Sequence, residues 1–254
     1  MNGRKLFLIV CFTLFFAPFA PCQDEEKIQQ LFQDAIQAMG GDTYLGVTDW
    51  IAKGQTFAFD REGGSSIPIK FTDYTRLPDK SRYELGNKKK DRDISVYNLA
   101  TNEGWIKEGR KETREVTPDE MSDFKRVVKH SIDIIFRYRY KDPETKLFYL
   151  GPGEGRDVIL EMVKILDPEN DEVTLYFDRI TKLPQKIEYW NMSSLGVRLR
   201  VVEAFSQWHV IEGVNTPLRT DRTVNGRRAS QNFVLEITYN NNLPDSLFTK
   251  PVSE

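Results

Sequence analysis

The chain has 254 residues, with 36 Lys+Arg against 38 Asp+Glu and a formal net charge of -2. That near balance carries no electrostatic footprint for nucleic acid. Its two cysteines, Cys11 and Cys22, both precede residue 23, so residues 23–254 have no disulfide framework and depend on an apolar core.

The first 22 residues read as a secretory signal peptide: Arg4 and Lys5 give a basic start, residues 6–16 are almost wholly apolar, and the segment closes on Ala20-Pro21-Cys22. Its apolar run is too short for a membrane span, which needs about 20 residues. Cleavage after Cys22 predicts an exported, periplasmic chain. A lipidated Cys22, anchoring the protein to the outer membrane, is the alternative. With no Pro/Ser/Gly-rich linker or repeat, residues 23–254 are expected to form a single domain.

Residues 24–39 carry Ile28, Leu31, Phe32, Ala35, Ile36 and Met39 at helical spacing, and Gly40-Gly41 supplies a stop. A run of alternating residues comes next, including Phe57/Phe59, Ile67/Ile69/Phe71, Tyr83/Leu85 and Ile94/Val96. Thr117-Pro118-Asp119-Glu120 has the form of a capping box with proline at the first helical position, and Met121, Phe124, Val128, Ile132 and Ile135 continue as one stripe. Alternation resumes at Val173/Leu175/Phe177, Ile187/Tyr189, Leu199/Val201 and Phe233/Leu235/Ile237, with turn signals such as Gly63-Gly64, Gly86-Asn87 and Asn225-Gly226 between runs. The pattern predicts a mainly β, α+β fold. It is a long antiparallel meander with one apolar face, covered incompletely by two or more helices.

Reactive constellations are sparse. His130 and His209 lack partners at metal-ligand spacing, and no cofactor motif is present. Gly151-Pro152-Gly153-Glu154-Gly155 lacks the Lys-Ser/Thr of a phosphate loop and reads as an ordinary loop. Phe136-Arg137-Tyr138-Arg139-Tyr140-Lys141 interleaves aromatic and basic residues. The simpler reading is a helix end with tyrosines half-buried and arginines solvated, and the other is a base-stacking or membrane-facing strip.

The order of pieces resembles the LolA/LolB-like superfamily of exported lipoprotein carriers. The resemblance rests on the helix ending Ala38-Met39-Gly40-Gly41 and on Tyr176-Phe177-Asp178-Arg179-Ile180-Thr181-Lys182-Leu183-Pro184. Gly213-Val214-Asn215-Thr216-Pro217 and the closing stretch from Asn241 to Pro251 with its Leu247-Phe248 agree. It implies a half-open antiparallel β-barrel with helices lidding an apolar cavity, and a non-catalytic carrier of acyl chains from a lipoprotein or lipid. The carrier's lid-locking arginine has no evident counterpart here. On this reading Phe57, Phe59, Trp105, Leu175, Phe177, Tyr189 and Phe233 form the wall, with Phe124 and Ile132 as lid. The partner is an acylated lipoprotein or lipid, with an inner- or outer-membrane protein as donor or acceptor. The same fold also implies two alternatives, an envelope sensor of misfolded or mislocalised proteins and a cofactor-free enzyme.

Overall fold

The computed structural model describes residues 21–155, 158–193 and 196–251. Most of the expected signal peptide, residues 1–20, lies outside them. Helices α1 (Pro21–Met39) and α2 (Asp42–Leu45) precede a first meander of β1 (Asp49–Ala58), β2 (Ile69–Arg76), β3 (Lys80–Leu85), β4 (Asp93–Asn98), β5 (Glu103–Lys107) and β6 (Arg114–Glu115). After α3 (Pro118–Lys129) and α4 (Ile132–Arg137) comes a second: β7 (Lys146–Glu154), β8 (Ile159–Leu166), β9 (Glu172–Asp178), β10 (Pro184–Met192), β11 (Arg198–Ile211), β12 (Val214–Val224) and β13 (Arg227–Tyr239). Pairing of β1 with β13 fuses the two into one 13-stranded antiparallel sheet that stays open, with β6 and β7 at its edges. Both edges are poor templates for further pairing. One has only two residues, and the other holds a bulge between Tyr149 and Gly151 followed by Pro152. The glycine-rich segment expected as a loop is therefore the end of an edge strand, where proline's missing donor costs no ladder bond.

Helix α1 fills one half of the concave face. Its stripe of Ile28, Leu31, Phe32, Ala35, Ile36 and Met39 is buried against Val163, Ile165, Val173, Leu175, Phe177, Ile187, Tyr189 and Val201. The helix stops where Gly41 N–H donates to the Ile36 carbonyl at 2.9 Å and Gly40 takes φ 126. A β-carbon on Gly40 would stand 2.5 Å from the Gly213 carbonyl oxygen, so glycine lets the helix end touch the β11–β12 turn.

The capping box forms as expected: Glu120 N–H donates to Thr117 Oγ1, and Thr117 N–H to Glu120 Oε2. The stripe from Met121 to Ile135 is not one helix, however. Ser131 is extended at φ -62 and ψ 137, dividing α3 from α4. The break lets His130 turn inward, where its ring stacks on Tyr189 at 4.0 Å and Nε2 lies 2.9 Å from Asp171. In the aromatic–basic stretch the expected exposure is inverted: Arg137 and Arg139 are buried and Tyr138 is exposed. Arg139 reaches Asp167 at 3.2 Å and Asp171 at 3.0 Å, and Tyr140 stacks on Phe32.

The β9–β10 hairpin shows how a turn is fixed locally. Asp178 is buried, and its Oδ1 accepts the N–H of Ile180 at 2.7 Å and of Thr181 at 2.9 Å, while Lys182 adopts φ 65. Asp178→Ala orphans two donors and is expected to lower the unfolding free energy by about 2 kcal/mol, measured by urea denaturation.

On the convex face a smaller cluster of Val96, Trp105, Leu243 and Phe248 is closed by the C-terminal segment. Buried Asp49 fixes that segment by accepting the backbone N–H of Asn241 at 2.6 Å and Asn242 at 3.0 Å.

Candidate functional site

The other half of the concave face, from β1 to β5 with β12 and β13, is roofed by α3 and α4 and is not filled. An inner compartment of about 290 Å³ lies between α4, the α1–α2 turn and the strands, lined by Met39, Ala52, Phe71, Ile132, Phe205 and Val234 among others. An outer compartment of about 440 Å³ runs under α3 past Ser95, Tyr97, Phe124, Val128 and Ile134. Trp50, Asp73 and Tyr83 line both, so the two meet at these three side chains. Sequence parity explains who points inward. Trp50 and Ala52 alternate along β1, Phe71 and Asp73 along β2, and Gly54 opposite Phe71 admits that ring, since a β-carbon there would lie 2.6 Å from it.

The cavity is mostly apolar but not uniformly so. Asp73 accepts Trp50 Nε1–H at 3.0 Å and Thr75 Oγ1–H at 3.0 Å. Asp133 on α4 stands 3.5 Å from Arg137. Arg137 itself donates to the backbone carbonyls of Leu45 at 2.9 Å and Tyr44 at 2.6 Å, and lies over the Tyr44 ring at 4.2 Å. It thereby ties the roof helix to the end of α2. Thr216 and Tyr239 share a hydrogen bond of 2.6 Å between their hydroxyls. The buried Trp208 indole N–H has no hydrogen-bond partner among the described residues, and the Tyr44 hydroxyl is buried beside Asp133, burial raising its phenol and the carboxylate's charge adding to the rise.

These surroundings shift the acids. Burial pushes the Asp73 carboxyl above its ordinary range despite the bonds from Trp50 and Thr75, and the charge of Asp133 adds to the rise. Burial likewise raises Asp133, and the Arg137 charge offsets this only in part. Burial also lifts the Tyr239 phenol to about 12. A carboxyl raised on folding stabilises the protein at pH below its unfolded value, and that contribution is lost as pH rises through the raised one. Asp73→Asn removes the loss. The variant is therefore expected to gain stability over the parent progressively from pH 4 to pH 7, as urea unfolding at both pH values would show.

The residues expected at the site separate into three groups. Phe124 and Ile132 line the cavity roof, Phe124 stacking on Tyr97 at 4.0 Å. Leu175, Phe177 and Tyr189 lie on the same face but in the core packed under α1. Phe57, Phe59, Phe233 and Trp105, expected on the wall, face the opposite side of the sheet. Phe57 meets Phe233 edge-on, Arg228 covers Phe59, and Trp105 sits under the C-terminal segment. The cause is parity: the inward set on β1 is Trp50, Ala52 and Gly54, which puts Phe57 out. Sequence reasoning missed Trp50, Asp73, Tyr83, Asp133 and Arg137. Signals existed for three of them: Asp73 lies two residues beyond Phe71, Tyr83 alternates with Leu85, and Arg137 belongs to the aromatic–basic stretch. Among the described residues no group of three or more His, Cys, Asp or Glu side chains is placed to hold a metal, and no helix is long and apolar enough to cross a membrane.

No protein-family model matches the sequence, and no curated protein sequence matches it. Solved structures do. A DUF1329 family protein from Desulfovibrio piger has a TM-score of 0.60 at 11% identity, over 87% of this chain and 97% of that one. A LolA superfamily protein from Nitrosomonas europaea has 0.57 at 11% identity, over 87% and 97%. A domain assigned to outer membrane lipoprotein sorting in Vibrio parahaemolyticus has 0.55 at 11% identity, over 89% and 96%. At that identity what is shared is the fold, and the fold is LolA-like.

Proposed function

We propose that the chain is exported, loses residues 1–22, and acts over residues 23–254 as one periplasmic, non-catalytic binding unit for the acyl chain of a lipid or acylated lipoprotein. The observation that carries this reading is the pair of joined, mostly apolar compartments beneath α3 and α4, on a face whose other half is covered by the buried stripe of α1. Hydrocarbon taken from water gains about 0.8 kcal/mol per methylene, so ten buried methylenes supply ~8 kcal/mol without any covalent step. The likeness in fold to a lipoprotein-sorting domain supports the same class of ligand. Release is eased by the roof, which is two short helices joined at an extended Ser131 rather than one rigid rod.

Native mass spectrometry of the protein recovered from the cell envelope, with uptake of a fluorescent fatty acid by the delipidated protein, tests this. Bound lipid and saturable uptake are expected, and neither appearing overturns it. Recovery of a membrane protein in place of lipid would turn the reading to envelope sensing. Ser95→Trp places a ring in the outer compartment and displaces roughly two methylenes of ligand, so uptake should weaken on the order of tenfold while the melting temperature holds.

A further inference from the structure

Asp73 is a charged group at the junction of the two compartments, and Asp79 lines the outer one as well. The Asp73 carboxylate is held by an indole and a hydroxyl, and among the described residues no lysine, arginine or histidine pairs with it. The other acid of the inner compartment, Asp133, has Arg137 at 3.5 Å, and Arg137 is further committed to two backbone carbonyls. Lys80, at the edge of the outer compartment, is drawn to Asp245 at 2.6 Å. With both acids ionised the inner compartment thus carries one negative charge in excess. Asp73 is half-buried, and a carboxylate so placed gains from a cation that arrives to pair it.

The same compartment is lined by the rings of Trp50, Phe71, Tyr83, Phe205, Trp208 and Tyr239. Aromatic faces with a carboxylate attract organic cations and do nothing for anions.

Resting on the acyl-binding reading above, we infer that the ligand is an amphiphile with a protonated amine head. The ammonium pairs with Asp73 where Trp50 and Tyr83 join the two compartments, and the apolar tail runs under α3 past Phe124. A fatty-acid carboxylate would instead add a third negative group to a site with one guanidinium.

The test uses dodecylamine, dodecanol and dodecanoate, titrated at pH 8 below micellar concentration into the delipidated chain lacking residues 1–22 and into its Asp73→Asn variant. Dodecylamine is expected to bind at least about tenfold more tightly than dodecanol. Asp73→Asn should bring the two within about twofold. In the parent, amine affinity should fall on acidification through the titration of Asp73, beside which stand Trp50, Thr75 and Tyr83 with the charge of Asp133 acting on it, while dodecanol affinity stays level. Equal or tighter binding of dodecanol or dodecanoate, or an amine preference surviving Asp73→Asn, overturns the inference and leaves acyl binding standing. Binding of none of the three overturns both.

Discussion

Phe32→Ala should lower the unfolding free energy by about 3–5 kcal/mol and the melting temperature by roughly 10 °C. Phe32 is wholly buried and joins three separate pieces of chain. It stacks on Tyr140 at 4.3 Å and 5°, meets Phe177 edge-on at 5.5 Å, and tilts against Phe136 at 5.3 Å. Those partners belong to β9, to α4 and to the turn after it, so no single element can move to fill the space. A double-mutant cycle with Tyr140→Ala should return a coupling of about 0.5–1.5 kcal/mol for the stacked pair. A loss under about 1 kcal/mol would mean the α1 half of the concave face is loosely packed. The contrast between a solid half and a hollow half would then fail. The cavity variants are expected to behave oppositely, since Asp73 borders space already open.

Helical periodicity made α1 legible because one stripe, Ile28 to Met39, meets one sheet face with no competing demand. The β9–β10 hairpin was legible for a similar reason: Asp178 and Thr181 bond the backbone beside them, so the turn needs no distant partner. Cavity and outer surface were not separable on the same basis. Alternation tells that Phe57 and Phe59 share a side, but the sign of that side is set by distant pairing. It depends on β1 with β13, on the bulge between Lys53 and Gly54, and on a C-terminal segment that gives the convex face its own apolar cover over Trp105. Apolar residues therefore mark both faces of this sheet, and composition cannot rank them. The polar groups of the site escaped for the complementary reason. Asp133 and Arg137 sit four apart on a helix and look like a solvated ion pair, until α2 is folded over them and its carbonyls become the arginine's partners.

That last contact yields the second large effect. Arg137→Met is expected to cost about 3 kcal/mol, because it leaves the Leu45 carbonyl without its donor, the Tyr44 carbonyl with only Val47 N–H, and Asp133 without its cation. The cost should depend on pH with a defined sign. Burial already raises the Asp133 carboxyl and Arg137 holds that rise in check, so removing the guanidinium lets the acid keep its proton to higher pH. A protonated Asp133 needs no cation. The destabilisation should therefore be smaller at pH 5 than at pH 8, and Asp133→Asn added to Arg137→Met should recover part of it at pH 8 and little at pH 5. A pH-independent loss would place the whole effect in the α2 carbonyls, and no loss would show that α4 is held by packing alone. The ligand should report the same contact from the other side. With α4 untied from α2 the inner compartment gains an exit, so a bound fluorescent amphiphile is expected to leave faster from Arg137→Met than from the parent. Stopped-flow displacement measures that rate directly. An unchanged off-rate, with stability reduced, would mean that the ligand leaves beneath α3 through the outer compartment and that Arg137 braces the fold without gating it.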